Sequence, residues 1–99
     1  SIIHAIDRQI PIDELARSKN MDFSEILDEI EAIVNSGTKI NINYFINEIL
    51  DDDQQADIFE YFKDSESGDL SDAYNELGDE YTEEEIRLMR IKFLSEMGY

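Results

Sequence analysis

The sequence predicts an all-α chain, a helix-turn-helix three-helix unit followed by a small C-terminal helical subdomain, and three observations carry that reading. Apolar residues recur at three- and four-residue steps through most of the 99 residues, which lines them up on single faces of α-helices. Two helix-opening devices are written out in full, at Asp22 with Glu25 and at Thr82 with Glu85. In each, an N-cap oxygen serves the amide three residues on, and the Glu there reaches back to the cap. The only stretch that alternates with period two, Thr38-Lys39-Ile40-Asn41-Ile42-Asn43, is too short and too solitary to make a sheet, so it reads as an extended segment or a loop.

Taken in order, Ile2, Ile3 and Ile6 place the opening residues on a helical face that reads as the end of a helix. Pro11 breaks the chain and starts a second helix, with Ile12, Leu15 and Ala16 inward. Lys19-Asn20 makes a tight turn because Asn tolerates positive φ. The third helix lies within the stretch 21–37, with its faces assigned over residues 22–36 and Asp22 as its cap. Phe23, Ile26, Leu27, Ile30, Ile33 and Val34 form its stripe, Met21 and Ile26 staple its start, and Gly37 closes it in the left-handed conformation. This helix is expected to lie at the centre of the fold. Asn43 is expected to cap the next helix, in which Phe45, Ile46, Ile49 and Leu50 face inward. The run Asp51-Asp52-Asp53 complements the dipole of a helix reaching Lys63, with Ile58, Phe59 and Phe62 on its apolar face. A polar loop around Gly68 leads to a short helix capped by Ser71. From Thr82, a last helix carries Ile86, Met89, Phe93, Leu94 and Met97 as its stripe. Residues 1–99 are read as one helical domain, with the helix-turn-helix unit at 1–37 and the C-terminal helices at 43–98.

Charge is the strongest global signal: 25 acids against 8 bases give a net charge of −17 and a pI near 4.1. Affinity for nucleic acid comes largely from Lys and Arg neutralising phosphates, so such a surface repels a duplex. With no cysteine, thiol catalysis, disulfides and cysteine-ligated zinc are all excluded, and a reducing cytoplasm fits. No apolar run approaches a membrane span. The chain begins without Met and reads as a piece of a longer protein.

The helix-turn-helix layout ELARSKNMDFSEILDEIEAIVNSG would put the outward residues of its second helix near base edges in a DNA reader. Those residues are Ser24, Glu25, Asp28, Glu29 and Glu31, and four carboxylates cannot read a phosphate-lined groove. Glu25, Asp28, Glu29 and Glu31 are therefore the candidate interaction face, suited to a basic protein surface. Arg8, Arg17, Lys19 and Lys39 are the candidate DNA contacts of the alternative reading. The acidic loop from Asp64 fails the EF-hand register, since Asp69 and Asn75 stand where Gly and a bidentate Glu are needed. His4 is the single histidine, and neither a Ser-His pair nor a phosphate-binding glycine pattern accompanies it. No catalytic, cofactor-binding or metal-binding residue is assigned.

The segment IPIDELARSKNMDFSEILDEIEAIVNSGTKI, continued by NINYFINEILDDDQQADIFEYF and YTEEEIRLMRIKFLSEMGY, resembles the C-terminal helix-turn-helix domain of RecQ-family ATP-dependent DNA helicases, most closely those of Bacteroidetes type. The resemblance implies a parent that unwinds DNA in the 3′ to 5′ direction in recombination and repair, in the bacterial cytoplasm with the chromosome. It also implies that ATP, magnesium and zinc belong to upstream domains, whose motifs have no counterpart here. Expected partners are those upstream domains and a basic protein surface, with weak or no nucleic-acid binding by the domain itself.

Overall fold

The computed structural model describes residues 1–98. Among them are seven helices and no strand: α1 (Ile2–Asp7), α2 (Ile12–Ser18), α3 (Phe23–Asn35), α4 (Asn43–Ile49), α5 (Asp52–Asp64), α6 (Leu70–Leu77) and α7 (Glu83–Met97). The all-α expectation holds.

Each of the first three helices ends in the same way. Gln9 (φ 60°), Asn20 (φ 56°) and Gly37 (φ 99°) take the left-handed conformation just past the helix C-caps. The amides of Gln9 and Ile10 donate to the carbonyls of Ile6 and Ala5, those of Asn20 and Met21 to Arg17 and Ala16, and those of Gly37 and Thr38 to Val34 and Ile33. This paired pattern is the Schellman motif, which satisfies carbonyls that a helix end leaves free. Three such stops fix the directions in which α1, α2 and α3 leave their turns, and so set the helix-turn-helix geometry. Gln is the odd member, because its Cβ is strained where Gly is not. Gln9→Gly is expected to raise stability by up to about 1 kcal/mol, read as a higher urea midpoint at unchanged slope.

Capping boxes open α3 at Asp22 with Glu25, α5 at Asp51 with Gln54 and α7 at Thr82 with Glu85. Two expected caps are corrected. Asn43 does not cap α4: the N-cap is Ile42 without a side-chain bond, while the Asn43 amide donates to Asn41 Oδ1 at 3.0 Å. Ser71 does not cap α6 either; Asp69 stands there and accepts from the Ser71 amide at 3.2 Å. In both places a side-chain oxygen two residues earlier takes the amide of the expected cap, and at α6 it is a carboxylate in place of a hydroxyl.

The centre of the molecule is α7, not α3. It packs against α3, α4, α5 and α6, whereas α3 packs chiefly on α2 and α7. Enclosure on several sides explains why Ile86, Leu88, Met89, Ile91 and Phe93 are all buried although they share no single stripe. Periodicity finds helices with one buried face and misses one with several. Among the residues assigned inward, Ile3, Ile49 and Met97 are exposed. The 38–43 segment keeps its alternation, with Ile40 and Ile42 buried and Lys39 and Asn41 exposed, but its partner is a side chain. Ser95 Oγ accepts from the Ile40 amide at 2.8 Å and donates to the Ile40 carbonyl at 2.9 Å. One hydroxyl thus does for this segment what a neighbouring strand would do.

Candidate functional site

The outward face of α3 is the surface that a helix-turn-helix offers to its target, and here α7 occupies part of it. Arg87, almost wholly buried on α7, donates from Nη2 to Asp28 Oδ1 at 2.6 Å and from Nη1 to Ser24 Oγ at 3.1 Å. One turn on, Arg90 donates from Nη1 to Glu31 Oε1 at 2.7 Å and from Nε to the Gly68 carbonyl at 2.7 Å. Arg90 thereby ties α3, α7 and the loop before α6 into one unit. The two latches differ electrostatically. The Arg87 side chain is 7% exposed and that of Asp28 is 69% exposed, so the guanidinium bears the desolvation cost while its partner stays hydrated. Arg87 Nε is also buried without an acceptor. Arg90 and Glu31, at 21% and 25% exposure, are matched, and theirs is the better-formed pair.

Of the four acids assigned to the interaction face, three therefore have work inside the chain. Glu25 accepts from the Asp22 amide at 3.0 Å to complete the capping box, and Asp28 and Glu31 hold the arginines. Glu29 alone is exposed with no partner among the described residues. Sequence reasoning missed Arg87 and Arg90. The one signal for them was the shared three-residue spacing of Asp28 with Glu31 and of Arg87 with Arg90.

The bases assigned as candidate DNA contacts are dispersed. Lys39 Nζ donates to the Ser95 carbonyl at 3.1 Å. Arg17 lies 3.6 Å from Asp13 in an exposed pair on α2. Arg8 and Lys19, at the ends of α1 and α2, are exposed and have no partner among the described residues. Lys63 pairs with Glu60, and Lys92 with Glu96 and Asn43. Six of the eight bases, Arg17, Lys39, Lys63, Arg87, Arg90 and Lys92, are thus engaged within the chain, and most of the acids remain for the solvent.

Residues 1–46 match the RecQ-1-like helix-turn-helix domain family. The match runs from α1 into the first turn of α4 and supports recognition of a C-terminal helix-turn-helix domain of a RecQ-family protein. No curated protein matches the chain. Within the matched residues, α3 has Ser24, Asp28 and Glu31 turned toward the chain's own α7.

Elsewhere, acids gather around one phenol. Tyr81 is buried and donates from its hydroxyl to Asp57 Oδ2 at 2.8 Å. Burial pushes its pKa up to about 12, and the bond to Asp57 with the charges of Asp57, Glu80 and Asp51 pushes the same way. A raised phenol pKa favours the folded state while the ring is neutral. The contribution is complete below the unfolded value of 10.0 and is lost as pH rises through about 12. Wild type should therefore lose stability more steeply than Tyr81→Phe across that window, as read by denaturant midpoints at stepped alkaline pH. Among the described residues no group of three His, Asp or Glu side chains is placed to hold a metal ion, and no helix is long and apolar enough to cross a membrane.

Proposed function

We propose that the chain is an accessory C-terminal domain of an ATP-dependent 3′–5′ DNA helicase acting in recombination and repair, and that it serves there as an acidic protein-interaction or regulatory module. The family match over residues 1–46 supports the RecQ setting. The observation that carries the module's role is the commitment of its cations: most are tied to its own carbonyls and carboxylates, so few are left to neutralise phosphates. Its partners are the upstream domains of the same chain and a basic protein surface, reached by charge complementarity that sets encounter rate and specificity. ATP, magnesium and zinc belong to those upstream domains, and the reaction takes place in the bacterial cytoplasm.

The alternative is a DNA-binding accessory module, and the exposure of the unpaired Arg8 and Lys19 is what favours it. The two readings separate in the parent protein with and without residues 1–99. An interaction module leaves DNA-stimulated ATP hydrolysis in place and alters substrate choice or partner recruitment. Loss of ATP hydrolysis in a truncated protein that is still folded contradicts the proposal. A uniform drop in DNA affinity with a shallower salt dependence supports the DNA-binding alternative.

A further inference from the structure

Between the turn that joins α1 to α2 and the outer side of α4 lies a cleft of ≈ 470 Å³, lined by Gln9, Pro11, Asp13, Tyr44, Phe45 and Glu48. We infer that this cleft is a docking site for an arginine side chain presented by a basic peptide segment of a partner protein. The inference rests on the reading of the chain as an acidic interaction module and names the place where that module takes hold.

Three features of the cleft fit a guanidinium. Tyr44 and Phe45 give its lining aromatic surface and Pro11 adds an aliphatic ring, and a planar cation is attracted to the face of an aromatic ring. Two carboxylates, Asp13 and Glu48, stand on its rim and are exposed. Glu48 has no partner among the described residues, and Asp13 holds only the exposed pair with Arg17 at 3.6 Å, a contact of small worth that an incoming cation can exchange. The floor is also fixed in advance. The Tyr44 hydroxyl donates to the Ile10 carbonyl, Phe45 leans on Phe23 with ring centroids 6.1 Å apart, and the left-handed turn at Gln9 sets the opposite wall. A site already ordered spends little of its interaction energy on immobilising side chains. Lysine would keep the charge but lose the stacking and the fork geometry. Single-stranded nucleic acid could also stack a base on Tyr44, but its phosphates would lie against the two carboxylates.

The test is an NMR titration of the whole chain with an acetylated, amidated hexa-arginine peptide at about physiological ionic strength, where exposed charges are screened beyond about 8 Å. Wild type is expected to bind saturably, with the largest shifts at Tyr44, Phe45 and Glu48 and smaller ones with hexa-lysine. The double variant Asp13→Asn with Glu48→Gln should weaken binding about tenfold, an effect of 1.4 kcal/mol. The equally charge-depleted double variant Glu76→Gln with Glu84→Gln, remote from the cleft, should leave it nearly unchanged. Equal weakening by both pairs, or shifts centred elsewhere, overturns the cleft and leaves the acidic module standing. No saturable binding by wild type overturns both. Shifts of the same residues by oligothymidylate, displaced by the peptide or not, would assign the cleft to nucleobases and contradict the inference.

Discussion

Leu88→Ala is expected to cost about 2–5 kcal/mol, the range for removing a buried leucine from a core that cannot close around the gap. Leu88 is 1% exposed on α7, the helix against which α3, α4, α5 and α6 all pack, so a cavity there loosens contacts to several elements together. Ile30→Ala on α3 should fall in the same range, since Ile30 is fully buried. Glu29→Ala, one residue away but exposed and unpartnered, should stay within about 0.5 kcal/mol. Urea unfolding of the three variants checks the series. Equal losses for Ile30→Ala and Glu29→Ala would mean that the faces of α3 are wrongly assigned.

Arg87→Glu should be among the most damaging single changes outside the apolar core. It places a carboxylate in a site about nine-tenths buried, against Asp28 and within a turn of Glu31, so a desolvated charge meets like charges instead of opposite ones. The expected cost is about 3–5 kcal/mol, a figure for an uncompensated buried charge. Arg87→Met is the informative companion. It keeps much of the stem's packing, removes a guanidinium whose Nε has no acceptor, and leaves Asp28 hydrated, so its cost should be about 1 kcal/mol or less. Comparable destabilisation by Met and Glu in denaturant unfolding would show that the ion pair itself, and not the burial of charge, decides the site.

The latch also shows where sequence reading stops. Caps and turns are local, so Asp22, Thr82, Asn20 and Gly37 announced their roles within a few residues, and the order of helices could be read from them. Gln9 was invisible because the left-handed position it fills is signalled by Gly or Asn, and only the paired amide bonds of Gln9 and Ile10 reveal it. The role of α7 was hidden for a different reason. A helix enclosed by four others has no single apolar face, and its buried positions include Arg87 and Ser95, which a pattern of apolar residues passes over. The acids of α3 are legible in the sequence as a set of outward carboxylates. Their engagement by Arg87 and Arg90 depends on contacts across 59 residues of sequence, and the matched three-residue spacing of the two acids and the two arginines is the one trace of it in the sequence.

The most direct test of the acidic-module account is the salt dependence of DNA binding by the chain itself, with labelled single-stranded, duplex and forked DNA titrated from about 50 to 200 mM salt, the interval over which phosphate contacts weaken steeply. The account predicts no saturable binding to any of the three at the upper end of that range, and no change on Arg8→Ala or Lys19→Ala. Saturable binding at 200 mM salt, with a slope that falls by about one for each of those substitutions, would contradict it.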